Sequence, residues 1–408
     1  MRLWPTSHCG PLPRKEESID KTISKVKTWL VEGSKYNWTL LKIETEDGLH
    51  GWGEATNWPG SPLVEAACQH VGDFILGFDA RRIDFIWTKI YRDMNWLGHA
   101  GPLLSAISAV DIALWDLKGK ALGVPVYELL GGAYRKTIEL YANYWFVGGG
   151  HDPEDYARQA RETVAQGFMG LKLDPFAHVH YRYGENLSEN LGLTEEQKER
   201  AVDIVKAVAA AVGSSVPIAI ETHAFLNAPT AIEMPHRLSK LDFSCMWYEE
   251  PAPPEFPESI ADIRAKIPLP VCVGERLHSR FMAHRILELH AADVLMPDIT
   301  RCGGISELRK IANLAETYNV PVAPHNPNGP ISTIASAHVM ATVPNFYRQE
   351  FMAKDVAWRD ACLSHPLPIE KGCFLLPDRP GLGFDVNELE VERHPGLRKP
   401  TKDRIFYI

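Results

Sequence analysis

The alternation of apolar and polar residues changes near position 134. Before it, TISKVKTWLVE (22–32) and NWTLLKIETEDGLHGWGEAT (37–56) alternate with a period near two, and Glu46-Asp47-Gly48 supplies a hairpin turn. PLVEAACQHVGDFILG and LLSAISAVDIALWDLKGKALG then repeat apolar residues at three and four positions, and Gly123 stops the second. Antiparallel strands followed by helices predict an α+β module over residues 1–134, with an irregular tail at 1–20.

After residue 134, short apolar strands alternate with helical stretches. The candidate strands are IELYANYWF, FMGLKLD, VPIAIETH, DFSCMWYEE, PVCVGER, DVLMPD, VPVAPHN and NFYRQE. Helical stretches between them include EEQKERAVDIVKAVAAAV, ISELRKIANLAETYN and ISTIASAHVMATV. Eight such strands fit a closed parallel barrel over residues 135–380, and an open doubly wound sheet is the rival. No G-x-G-x-x-G follows the first strand, which weakens the dinucleotide-binding form of that rival. The closing PGLGFDVNELEVER reads as a strand that returns to the first module, so residues 381–408 complete it. The expected class is α/β, a barrel under an α+β N-terminal cap.

Composition removes several alternatives. No apolar run approaches a membrane span and the first 20 residues lack an apolar signal core, so a cytoplasmic location and no membrane partner are expected. The seven cysteines (Cys9, Cys68, Cys245, Cys272, Cys302, Cys362, Cys373) are odd in number and show no C-x-x-C spacing, the pattern of reduced thiols. A formal charge of -9 without a basic tract argues against a nucleic-acid partner. It also means that an anionic substrate needs a local cationic trap.

Three candidate strands end in a carboxylate, Glu221, Glu249 and Glu275, spaced 28 and 26 residues apart, one strand-plus-helix unit each. By alternation Ala219, Glu221 and His223 share a face, as do Cys245, Trp247 and Glu249, and Val271, Val273 and Glu275. Three carboxylates at one level of a barrel mouth repel one another unless a cation lies between them, and an all-oxygen ligand set completed by water favours Mg²⁺. The second strand offers Lys172 and Asp174 on one face; the sixth ends in Asp298, the seventh in His325 and the eighth in Glu350. Neighbouring strands lie about 4.8 Å apart, so Asp298 can orient His325 as a base.

These residues resemble the enolase superfamily, specifically its mandelate racemase and muconate lactonizing enzyme branch. The resemblance covers nearly everything after residue 20, most specifically AISAVDIALWDLKGKALGVPVYELLGG, WYEEP, VGERL, PDITRCGGISE and APHNPNGPIS. It implies a modified barrel of eight strands and seven helices under the cap, a homo-oligomer, Mg²⁺ held by Glu221, Glu249 and Glu275, and abstraction of the proton α to a carboxylate. Superfamily members pair a Lys or His base with Mg²⁺. Lys172 and the metal would neutralise the developing charge; Glu350 would either donate a hydrogen bond when protonated or serve as partner to a cation.

Two departures narrow the reading. Racemases of the branch carry Lys-x-Lys on the second strand, and here Asp174 takes the second lysine's place, which disfavours a two-base racemase. The first metal ligand is commonly Asp, and Glu221 is one methylene longer. His223 lies about 6.6 Å beyond it toward the mouth. Acid-sugar dehydratases of the galactonate type have a histidine there as general acid. The implied reaction is β-elimination, in which His325 takes the C2 proton, Mg²⁺ holds the enediolate and His223 protonates the departing 3-hydroxyl of an aldonate or aldarate, giving a 2-keto-3-deoxy acid. Cycloisomerisation or epimerisation of a sugar acid, and a non-catalytic binding protein of the same fold, are the alternatives. Arg301 and Asn326, together with Lys172 and Asp174, are candidates for substrate contact. Glu250 and Arg276 are expected to turn away from the cavity into a supporting salt bridge, and Asp111, Asp116 and Lys118 to be structural. Residues 176–190 and ATNWPGSP (55–62) are candidate lid segments.

Overall fold

The computed structural model describes residues 21–34, 37–57, 61–177 and 193–398. The tail, most of the 176–190 segment, part of ATNWPGSP and the last ten residues lie outside them.

The cap begins with an antiparallel sheet, β1 (Ile23–Val31), β2 (Trp38–Thr45) and β3 (His50–Glu54), in that order. The β2–β3 turn works because Gly48 adopts φ 83°. Helices α1 (Ser61–Ile75), α2 (Ile83–Asp93) and α3 (Pro102–Leu122) cover one face of the sheet, and α4 (Val126–Leu129) follows. β3 can approach α3 closely because it carries glycine: a Cβ at Gly53 would lie 1.9 Å from the Ala109 carbonyl oxygen. Gly123 ends α3 in the left-handed conformation, as its sequence position predicts.

In the second module β4 (Thr137–Asn143), β5 (Leu171–Leu173), β6 (Ile218–Glu221), β7 (Cys245–Glu249), β8 (Val271–Val273) and β9 (Val294–Leu295) pair in parallel as successive neighbours. The seventh segment, 321–325, is held by isolated bridges from Val322 to Leu295 and Phe346, and from His325 to Asp298. It forms no longer ladder because Pro321 and Pro324 have no N–H to give. β10 (Gln349–Met352) then pairs in parallel with β4, which brings the sheet back to its first strand. Outside lie α5 (Pro153–Ala165), α6 (Glu195–Val212), α7 (Ala228–Leu238), α8 (Pro257–Lys266), α9 (Arg280–Glu288), α10 (Ile299–Cys302), α11 (Gly304–Thr317) and α12 (Pro330–Met340). Thr194 starts α6 with a reciprocal capping box to Gln197.

The wall has two faces. Ala219, Trp247, Cys272, Val294, Met296 and Ala323 pack with Tyr141 inside the ring, whereas Ile218, Ile220, Val271, Val273 and Leu295 join the larger core shared with the helices. Two parity expectations are corrected here. Register shifts between Ile218 and Ala219, which face Cys245 and Trp247, so the extra residue Met246 puts Cys245 on the outer face. Val271 and Val273 also face outward, and Glu275 reaches the mouth because β8 stops and Gly274, at φ 150°, redirects the chain. A Cβ at Gly274 would sit 2.6 Å from the Met296 nitrogen.

The closing segment is not a return strand. After the hairpin β11 (Ile369–Glu370) and β12 (Cys373–Leu375), which adds antiparallel to β4, residues 380–396 rejoin the cap through isolated bridges, Pro125 with Gly381 and Val31 with Pro395, and through α13 (Glu388–Arg393). Gly381 and Gly383 take φ 68° and 81°, and Asn387 caps α13, so extended pairing is interrupted. No helix of the described residues is long and apolar enough to cross a membrane.

Candidate active site

Glu221 and Glu249 end β6 and β7 and are paired across the two strands, and Glu275 follows the Gly274 turn. One carboxylate oxygen from each lies within 4.8 Å of the others, and all three side chains are buried. Each is held by a different hand. Glu221 Oε1 accepts the backbone N–H of His223 at 2.6 Å, Glu249 Oε2 accepts Trp247 Nε1–H at 2.6 Å, and Glu275 Oε1 lies 3.2 Å from Arg276 Nε. Arg276 also donates to the His223 carbonyl at 2.8 Å, so its ion pair falls on Glu275 itself, while Glu250 accepts the N–H of Gly274.

The cluster's charge is uneven. Lys172 Nζ reaches Glu249 Oε1 at 2.5 Å, Glu350 Oε1 at 2.9 Å and Glu221 Oε2 at 3.3 Å. Burial disfavours the Glu221 anion, yet the nearby His223 and Lys172 outweigh that and hold it at about 2. Burial and the adjacent Glu221 carboxylate push Glu249 well above its ordinary value. Lys172 is a single cation shared by three carboxylates, those of Glu249, Glu350 and Glu221, while Glu275 faces Arg276 and His325. Glu221 Oε2 accepts no hydrogen bond. An all-oxygen cluster short of positive charge, with a buried oxygen that accepts no hydrogen bond, fits a hard divalent cation.

On the next strands the expected dyad is present. His325 Nδ1 lies 2.8 Å from Asp298 Oδ2, and its Nε2 lies 2.9 Å from Glu275 Oε2. Burial opposes the imidazolium, but Glu350 and Glu275 raise His325 to about 9. Asp298 also accepts the Thr300 N–H at 2.8 Å and Asn328 Nδ2 at 3.0 Å on each oxygen. Arg301 stands 3.4 Å from Asp298 Oδ2, beside the dyad.

His223 makes a second dyad. Its Nδ1 is 2.7 Å from Asp174 Oδ2, and the other Asp174 oxygen accepts the Phe176 N–H at 2.8 Å. His223 sits past the end of β6 at φ 49°, with its ring partly exposed to a cavity lined by Asn143, Tyr144, Phe146, Lys172, Asp174 and Glu221. Glu350 accepts from Asn143 Nδ2 at 2.6 Å, the Asn326 N–H at 2.8 Å and Lys172; burial opposes its ionisation, but Lys172 and His325 hold its carboxyl below the ordinary value. In these contacts Glu350 faces three donors, one of them the Lys172 cation. Asn326 is fully buried, its amide bonded to Thr333 and to the Glu350 carbonyl. Asp111 binds Ser306, and Asp116 binds Lys120 and the N–H groups of Trp52 and Leu382.

Asn143 and Asn328 were not among the residues that sequence singled out, and Trp247 was placed on the face of Glu249 without a role. Asn143 shares strand parity with the inward Tyr141, a signal that would have found it; Asn328 has none, because its partner is 30 positions away.

Residues 22–131 match the family described as "Mandelate racemase / muconate lactonizing enzyme, N-terminal domain", and residues 155–390 that described as "Enolase C-terminal domain-like". A D-galactonate dehydratase of Ralstonia nicotianae is 37% identical over 381 residues, covering 89% of this chain and 94% of that one. A D-xylonate dehydratase of Haloferax volcanii is 33% identical over 380 residues, covering 92% and 89%. Among solved structures, a mandelate racemase/muconate lactonizing enzyme-like protein from Rubrobacter xylanophilus superposes with TM-score 0.86 at 32% identity, covering 95% of this chain and all of that one. The 3,6-anhydro-D-galactonate cycloisomerase from Zobellia galactanivorans superposes with TM-score 0.79 at 28% identity, covering 91% and 99%. Matched in both modules and over most of its length, the chain belongs to the enolase superfamily, in its mandelate racemase and muconate lactonizing enzyme branch.

Proposed function

We propose that this protein is a Mg²⁺-dependent hydro-lyase that dehydrates an acid sugar, an aldonate or aldarate, to a 2-keto-3-deoxy acid. The observation that carries the reading is the second dyad: His223, bonded to Asp174, borders the cavity beside the glutamate cluster, at the point where elimination needs a proton donor. The names of the dehydratases it resembles support the same substrate class.

Glu221, Glu249 and Glu275 would hold the metal, which supplies positive charge against the charge that builds on a carboxylate as its α-proton leaves. Lys172, fully buried among them, adds a fixed cation to that trap, and Glu350 holds Lys172 in place. His325 Nε2 would take the C2 proton: what raises the imidazole to about 9 is the charge of Glu350 and Glu275, and a cation held by Glu275 would offset it, while Asp298 keeps the other ring nitrogen protonated and stabilises the imidazolium. His223 Nε2 gives a proton to the 3-hydroxyl, so the C3–O bond breaks with water as leaving group and the enol ketonises. Asp174 orients His223. Arg301 and Asn326, proposed as substrate contacts, also lie against Asp298 and Glu350.

The same reading proposes an architecture of eight barrel strands and seven helix positions. It is supported by the bridges of segment 321–325 and by the strand-to-strand crossovers through α5 to α12, with boundaries at 134/135 and 380/381. A second reading, cycloisomerisation of an anhydro sugar acid, is favoured by the likeness to the Zobellia enzyme. Incubation with a panel of aldonates, aldarates, lactones and anhydro acids in Mg²⁺, followed by semicarbazide detection, separates the two. A 2-keto-3-deoxy product from a linear acid supports dehydration; turnover of anhydro acids or lactones alone would replace it with the second reading.

A further inference from the structure

β3 of the cap ends at Glu54, a fully buried carboxylate that accepts from Thr56 Oγ1 at 2.5 Å within the cap and from two N–H groups of the barrel. Its Oε1 accepts the Gly329 N–H at 2.6 Å and its Oε2 the Ser332 N–H at 2.8 Å. These N–H groups open α12, where a negative charge is favoured. The contact is tight enough to require glycine: a Cβ at Gly329 would lie 2.8 Å from both Glu54 oxygens and 2.9 Å from Trp38 Cγ. The preceding residue, Asn328, is the one that donates to both oxygens of Asp298. A second arm runs from Thr56, whose carbonyl lies 2.6 Å from Thr300 Oγ1, while the Thr300 N–H is bonded to Asp298 Oδ1. Two cap residues thus grip Asp298 from two sides, through Gly329-Asn328 and through Thr300, and Asp298 holds His325.

We infer that Glu54 is a positioning residue for the base: the docked cap sets the orientation of Asp298, and through it that of His325. The inference rests on the reading of His325 as the base. In Glu54→Gln an NH₂ group must face either Gly329 N–H or Ser332 N–H, so segment 326–332 shifts and Asn328 leaves its place against Asp298. A displacement of about 1 Å at a reacting group costs on the order of 100-fold in rate.

The test measures kcat, KM and solvent-deuterium exchange at C2 with the acid sugar that the wild type turns over, in Mg²⁺. The fraction of competent sites is counted calorimetrically with the hydroxamate of that acid. Glu54→Gln is expected to bind one hydroxamate per chain, to keep KM within about twofold, and to lose roughly 10- to 100-fold in both kcat and exchange. Wild-type kcat per competent site, or a loss confined to KM or to the count of sites, would overturn the inference. Should Glu54→Gln not fold, Asn328→Leu breaks the same chain from the barrel side and must show the same loss; wild-type kcat there would also overturn it. A wild type that exchanges no acid sugar at C2 refutes the functional reading instead, and is seen before any variant is made.

Discussion

Lys172 Nζ lies 2.5 Å from Glu249 Oε1, and both side chains are buried. Such proximity stabilises each partner only while the surrounding carboxylates are also compensated. Mg²⁺ is therefore expected to raise the melting temperature, by an amount equivalent to about 2.7 kcal/mol at 100 times its dissociation constant. Glu249→Gln should abolish the Mg²⁺-dependent rise while still melting cooperatively without Mg²⁺. A variant that keeps the full rise would remove Glu249 from the ligand set.

The two histidines should separate by the step each serves. His325→Ala is expected to lose C2 exchange and product formation together, by at least about a thousandfold, whereas His223→Ala keeps exchange and loses elimination. Deuterium exchange followed by proton NMR, beside product assay, distinguishes them. The reverse pattern would exchange their roles.

Asp174→Asn should resemble a weaker His223→Ala. The amide can present its NH₂ to Nδ1 and favour the wrong tautomer, so elimination should fall by about 10²- to 10⁴-fold while exchange stays within a few-fold. Exchange and elimination falling together would instead make Asp174 a support of the whole site.

Far from the mouth, His338 gives a pH prediction. It is fully buried, its Nδ1 is 3.3 Å from the Tyr127 N–H and its Nε2 3.2 Å from the Leu382 carbonyl, so it is neutral and protonated on Nε2. Burial pushes it down to about 4, below the ordinary 6.5. A depressed native value means this stability is complete above pH 6.5 and disappears as pH falls toward 4, a loss of about 3 kcal/mol. Melting curves at pH 7.5 and 5.0 should show a smaller acid-induced drop for His338→Gln than for the wild type.

The sequence made Glu221 and Glu249 legible because strand parity holds to the end of β6 and over the last residues of β7. It could not show why Glu275 points inward, since that depends on one glycine stepping out of the strand. The bulge at Met246 was hidden for a related reason: an extra residue leaves no mark in a run already apolar on both faces. Asp298 and His325 were legible as strand-end polar residues. Asn328 and Glu54 were not, because what they do depends on partners 30 and 275 positions away, joined only by the fold.

Residues 380–396, of which 380–393 looked like a strand, fasten the cap a second time, at Val124, at Leu30 and at Glu32. A module tied by its own exit and again by residues 380–396 has two attachments to break before it can lift. Shortening the protein to residue 380 would remove the second tie from a chain whose chemistry lies in the floor below.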